Sequence, residues 1–198
     1  MIIGITGGSG CGKTTALSAI QAMGGLVLDC DQIYHGLLKT DQELLRAIDG
    51  RFPGVVTEGR LDRKKLGSQV FSDADALRDL NRIAHGAVRR EVLRRLQKAP
   101  SLVAIDAIAL FEGGLAELCD HTVAITAPTD ARIARLMKRE DITKAYAQSR
   151  LNAQKSNEAF SAMAEFVLEN SGTKEAFYQK ARTLFQDLAI KSSAKRTP

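Results

Sequence analysis

Residues 7–14 read Gly-Gly-Ser-Gly-Cys-Gly-Lys-Thr, an order of residue types with a direct chemical meaning. Glycines let the backbone turn tightly and bring bare N–H groups against an anion. Lys13 adds a mobile positive charge, and the Thr14 hydroxyl can ligate a hard cation such as Mg²⁺. The spacing G-x-x-x-x-G-K-[ST] is that of a phosphate-binding loop, and its flanks agree. An apolar run, Ile2–Thr6, leads in, and a helical pattern at Ala16, Leu17, Ile20 and Met23 leads out. That order sets the positive end of a helix at the phosphates. The segment is expected to bind a nucleoside triphosphate, with Gly8, Ser9, Gly10, Cys11, Gly12, Lys13, Thr14 and Thr15 around its phosphates.

A phosphate loop alone does not separate a kinase from a GTPase or a motor ATPase, and the carboxylates narrow the choice. A second apolar run, Leu26-Val27-Leu28, ends in Asp29-Cys30-Asp31. Ligands of α/β sheets gather at the carboxyl ends of strands, so these acids are expected near the loop. Asp31 can orient an attacking hydroxyl or accept its proton; the alternative for both acids is to cap the helix that follows. Asp106 ends a third apolar run, Leu102–Ile105, and is the candidate metal-side carboxylate, with Thr14 as the other metal ligand. Neither a switch loop nor an N-K-x-D guanine-reading signal is present, which counts against a GTPase.

Two basic stripes fall at helical spacing: Arg78, Arg82, His85 and Arg89, then Arg132, Arg135 and Arg139. Such stripes are ordinarily solvated faces, but in a phosphate-binding chain they are also candidates for anion contacts. Arginine presents a planar fork to phosphate, and an arginine on a mobile helix can neutralise a transferring phosphoryl group. Cys11 occupies an unspecified position of the loop motif.

The chain of 198 residues is 44% apolar and 26% charged, which suits one globular domain with a sizeable core. Three cysteines without C-x-x-C spacing indicate neither a disulfide framework nor a zinc site and are read as reduced thiols in a cytoplasmic protein. No signal peptide and no membrane span of roughly 18 apolar residues are expected. The net charge of +5 has two readings, nucleic acid or polyphosphate ligands. No nucleic-acid motif accompanies it, so small anions are favoured.

The elements that must position these groups follow from periodicity. Short apolar runs at 2–6, 26–29, 102–106, 122–126 and 166–168 read as strands. Helical patterns lie near 31, across 61–99, and at 130–139, 143–154 and 174–190. Within 61–99, Ser72-Asp73-Ala74-Asp75 reads as a capped start, and Leu77, Leu80, Ala84, Ala87 and Leu93 as one apolar face. Gly50 to Gly59 is turn-rich. Strands alternating with helices imply an α/β fold with a parallel sheet covered on both faces.

With these pieces placed, the chain resembles the dephospho-coenzyme A kinases from about Ile2 to Phe185. The likeness runs through the phosphate loop, Asp29-Cys30-Asp31, Leu61-Asp62-Arg63, Leu66-Gly67 and Val70-Phe71. It continues in Ile83-Ala84-His85, Val88-Arg89, Leu110-Phe111-Glu112, Arg135–Arg139, Arg150…Gln154 and Asn170-Ser171-Gly172. The resemblance implies a five-stranded parallel P-loop kinase core with a helical substrate-binding insertion and a helical lid. The core would comprise residues 1–39, 100–128 and 161–190, the substrate subdomain 40–99 and the lid 129–160, with 191–198 a flexible tail. It implies transfer of the ATP γ-phosphoryl group to the ribose 3′-hydroxyl of dephospho-CoA, with Mg²⁺. A monomer is expected, with neither nucleic acid nor membrane as a partner. Lys13, Asp31 and Arg139 would be catalytic, while Arg135, Asn170 and Gly172 would border the nucleotide. Asp31, His85, Arg89, Phe111 and Glu112 would serve the dephospho-CoA side.

Two departures touch that side. Gly86 stands where the family has proline after histidine, and Ile108-Ala109-Leu110 replaces a proline-led segment. Two other readings stay open at this point: a kinase for another small hydroxyl acceptor such as a nucleoside or nucleotide, and a nucleotide-sensing or nucleic-acid-binding regulator.

Overall fold

The computed structural model describes residues 1–194. These fall into two compact units, one of Met1–Leu28, Ala99–Phe111 and Leu115 onward, the other of Asp29–Lys98 and Glu112–Gly114.

Five parallel strands, β1 (Ile2–Thr6), β2 (Leu26–Asp29), β5 (Val103–Asp106), β6 (His121–Thr126) and β7 (Phe166–Glu169), form a sheet in the order β2-β5-β1-β6-β7. Helices cover both of its faces, which is why the strands read as continuous apolar runs and not as alternating ones. Central β1 pairs with β5, setting Ile5 beside Asp106, and with β6, setting Thr6 beside Ala124. Its residues Ile3 and Ile5 are fully buried. Helix α1 (Lys13–Ala22) packs on the C-terminal helix α9 (Lys174–Ala194), and Ile20, Phe177 and Phe185 join the strand side chains in one core. The tail expected from Lys191 thus begins within α9; residues 195–198 lie outside the described residues. The remaining helices of this unit are α6 (Thr129–Glu140), α7 (Lys144–Asn152) and α8 (Asn157–Met163), besides a short 3₁₀ turn at Ala116–Leu118. Ile133 and Leu136 of α6 meet Ala147 and Leu151 of α7 in a small core of their own.

The second unit holds α2 (Cys30–Thr40), α3 (Gln42–Arg51), α4 (Arg63–Val70) and α5 (Ala74–Leu96). It also holds an antiparallel pair, β3 (Val56–Thr57) and β4 (Arg60–Leu61), inside the stretch read as turns. Aspartates start each helix: Asp29, Asp41, Asp62 and Asp73 accept backbone N–H groups at the respective caps. Asp29 thus takes the capping role left open for it. The core gathers Leu44, Ile48, Phe52, Val55, Leu66 and Val70 against α5.

The apolar face of α5 differs from the one expected. Leu77 and Leu93 remain 39% and 38% exposed, whereas Ala76, Leu80, Ile83 and Ala87 face the core. The spacing 76-80-83-87 is the helical one, and small alanines let neighbouring helices approach closely. Helix α5 also runs unbroken through exposed Gly86, where an added Cβ would meet nothing nearer than the Arg90 guanidinium at 4.0 Å. Gly86→Ala should therefore stabilise the fold by about 0.5–1 kcal/mol, seen as a raised urea midpoint. An unchanged or lowered midpoint would show that α5 needs backbone freedom there.

Among the described residues no helix is long and apolar enough to cross a membrane.

Candidate active site

The loop between β1 and α1 has the shape its glycines permit. Gly12 takes φ +103° at the N-cap of α1, and Gly7 takes φ +141° with the site of a Cβ 2.3 Å from the Ile125 carbonyl oxygen. Any side chain at either position is strained or blocked. The first turn of α1 carries no acidic residue, and no side chain caps its start. The positive end of the helix is thus left open to an anion.

Lys13 Nζ donates to the Gly7 carbonyl at 2.9 Å and lies 4.0 Å from Asp106 Oδ1. Its side chain is 16% exposed, so the ammonium is held over the loop and does not wander in solvent. Asp106 reaches this point because the β1–β5 register places the end of β5 level with the entry to the loop. Thr14, one residue into α1, is exposed. Cys11 is buried, and burial outweighs the neighbouring Lys13 charge to push its thiol pKa up. The group stays protonated and unreactive.

Three side chains from distant sequence brace the loop from behind. Arg135 NH1 donates to the carbonyls of Gly10 at 3.1 Å and Cys11 at 3.4 Å, and its NH2 donates to the Asn170 carbonyl at 3.5 Å. Asn170 is buried, its backbone N–H donating to Thr126 and its Nδ2 to the Cys11 carbonyl at 2.9 Å. Arg132 is buried and turned to Ser9. Arg139, at the end of the same helix, is exposed and pairs with Glu140, which also holds Arg150. The three arginines of one stripe thus have three settings. Gly172 lies in the exposed loop after β7.

Asp31, His85, Arg89 and Glu112 belong to the second unit. Asp31 is exposed in the first turn of α2. His85 is half-buried on α5, and Arg89, one turn later, donates to the Gly114 carbonyl at 3.3 Å, which ties the segment holding Glu112 to that helix. Phe111 is half-buried in the first unit. Arg78 and Arg82 are exposed and pair with Asp75 and Asp79 on their own helix, the solvated-face reading of that stripe.

The dephospho-CoA kinase family model matches residues 1–175. The chain belongs to that family. A dephospho-CoA kinase from Anaeromyxobacter dehalogenans is 38% identical over 193 residues, covering 94% of this chain and 92% of its own. A crystal structure from Thermus thermophilus superposes with a TM-score of 0.78 at 34% identity, covering 96% of this chain and 97% of its own. Shikimate kinase from Bacteroides thetaiotaomicron shares the fold alone, with a TM-score of 0.55 at 16% identity over 94% of this chain and 98% of its own. As a dephospho-CoA kinase, the protein phosphorylates the ribose 3′-hydroxyl of dephospho-CoA at the expense of ATP, the last step of coenzyme A synthesis.

Arg132 also meets Gln154 and Asn157, a grouping only partly signalled in the sequence. Arg132 belongs to a basic stripe with two readings, solvated face or anion contact, and Asn157 reads as an ordinary polar residue at a helix end. Gln154 stood out only as part of the family likeness.

Proposed function

We propose that the kinase achieves transfer by positioning and charge neutralisation, with the loop Gly8–Thr15 holding the ATP phosphates and Lys13 spanning the transferring group. The observation that carries this reading is Lys13 itself, held over an uncapped helix start by Gly7 and Asp106. Phosphoryl transfer asks little covalent chemistry of a protein, so donors fixed in place before ATP arrives account for most of the rate.

Thr14 and Asp106 fit a Mg²⁺ ion. Both are hard oxygen donors beside the loop, and no group of three or more His, Cys, Asp or Glu that could hold a metal exists among the described residues. Mg²⁺ is ordinarily bound by one or two protein oxygens, with phosphate oxygens and water completing its shell. The ion would draw charge from the phosphates. Asp106→Asn should raise the Mg²⁺ concentration for half-maximal activity about tenfold; an unchanged Mg²⁺ titration would remove Asp106 from the metal site.

Asp31 orients or deprotonates the ribose hydroxyl. Arg139 leaves Glu140 to neutralise the transferring group, and its exposure supports that mobility. Arg135, Asn170 and Gly172 border the nucleotide. Asn170 is buried with its Nδ2 on the Cys11 carbonyl, and the adenine contact is assigned to the backbone of the exposed loop at Gly172. His85, Arg89, Phe111 and Glu112 shape the dephospho-CoA side, with 40–99 as the substrate subdomain and 129–160 as the lid. The enzyme is read as acting as a monomer. The cysteines form no disulfide, which fits the reducing cytoplasm as its location.

A further inference from the structure

Arg132 is a guanidinium almost sealed from water, with 4% of the residue exposed, and no carboxylate among the described residues pairs with it. Its partners are neutral oxygens. Nε donates to the Ser9 carbonyl at 2.9 Å, NH1 to Asn157 Oδ1 at 3.2 Å and NH2 to Gln154 Oε1 at 3.5 Å. Gln154 completes the grip: Oε1 accepts the Ser9 N–H at 2.8 Å, and Nε2 donates to Ser9 Oγ at 2.8 Å. Every polar group of Ser9 is thereby engaged by these two side chains. Asn157 is itself fixed by donating Nδ2 to the Ala127 carbonyl at 2.9 Å. The packing is tight enough that a Cβ added at Gly8 would fall 2.2 Å from Arg132 NH2.

We propose that Arg132, with Gln154, is a positioning residue for ATP: the pair sets the Ser9 peptide of the phosphate loop, and the buried charge raises the affinity of the loop for phosphate without touching it. Two arguments converge. Burying a cation without a counter-charge is costly, and an ordinary structural contact does not require it. Sited directly behind an anion-binding loop, however, the charge is compensated when the phosphates arrive, in a region where water screens little. The hydrogen bonds meanwhile fix the loop before binding, so no ordering remains to be done at that moment. Arg132 therefore acts through Ser9 and through its field, in contrast to Arg139, whose exposed guanidinium is free to approach the ligand.

This inference rests on the loop Gly8–Thr15 being the ATP site, and the test separates the two. Steady-state kinetics of wild type, Arg132→Met, Arg132→Lys and Gln154→Leu would be measured with dephospho-CoA and MgATP, beside thermal melts with and without ADP. Arg132→Met should raise KM for ATP about tenfold with KM for dephospho-CoA unchanged, and should shrink the ADP-induced rise in Tm. Arg132→Lys, which keeps the charge and loses the fork, should fall between. The double variant should lose less than the product of the single losses, because both side chains act on Ser9. A lowered Tm with KM for ATP unaltered would make Arg132 a structural residue only and overturn the proposal, as would equal changes in both KM values. If Arg132→Met fails to fold, Arg132→Lys and Gln154→Leu carry the same comparison. Failure of the ATP-site reading itself would show as wild-type ADP binding insensitive to Lys13→Ala.

Discussion

Lys13→Ala is expected to lower turnover roughly 10³-fold or more, with the melting curve of the protein close to wild type. The ammonium is the one side-chain cation of the loop and, in the proposed reading, meets the phosphates; it is already held in place, 2.9 Å from the Gly7 carbonyl and 4.0 Å from Asp106. Alanine removes more than an attraction. It also takes away the cation 4.0 Å from the Asp106 carboxylate, so that the negative charge there opposes the incoming phosphates more strongly. Both kcat and kcat/KM should fall, since the interaction strengthens as charge develops in the transition state. Lys13 caps no helix and fills no apolar core, so the loss should be kinetic and not structural. ADP release in a coupled assay reads it directly, and activity within tenfold of wild type would sink the assignment of this loop as the catalytic phosphate site.

Asp31→Asn should act on a different parameter. The carboxylate is exposed in the first turn of α2 and, in the proposed reading, bears on the acceptor hydroxyl and not on ATP. Asparagine keeps the size and much of the hydrogen-bonding shape but cannot accept a proton. The expected result is a fall in kcat of roughly 10²–10⁴-fold, with KM for ATP within about threefold. The neighbouring acid gives an internal control. Asp29 accepts from the Gln32 backbone N–H at 2.9 Å as the cap of α2, so Asp29→Asn should cost a few tenths of a kcal/mol of stability and little activity. A collapse of ATP affinity with kcat preserved would remove Asp31 from the hydroxyl side and return it to the nucleotide side.

The nucleotide half of the molecule was legible in the sequence for a physical reason. Parallel strands buried on both faces must be short apolar runs, and phosphate binding needs glycine, lysine and threonine at fixed spacing. Both β1 and β2 therefore fall where the residues place them. Helix α5 was harder. Leu77 and Leu93 outweigh alanines on any count of apolar side chains, yet packing selects Ala76 and Ala87 because backbones must come close there. The pair β3–β4 escaped because two-residue strands carry no period. Arg132 is the sharpest case. Its spacing from Arg135 and Arg139 describes a stripe on one helix face, but not that one member is buried, one spans two loop carbonyls and one is exposed. Which way a guanidinium turns depends on groups more than a hundred residues away in sequence, and periodicity does not carry that information.

The central claim, that this chain phosphorylates dephospho-CoA through the loop beginning at Gly7, is tested most directly by ADP production from MgATP. Dephospho-CoA would be offered beside adenosine, AMP, CMP and uridine, with the position of the new phosphate read by NMR. The account predicts strong turnover with dephospho-CoA alone and phosphate on the ribose 3′-oxygen, with Gly86 and Ile108 tolerated. Turnover with another acceptor, or phosphate at another position, would contradict it and would mark those two departures as signs of a changed substrate pocket.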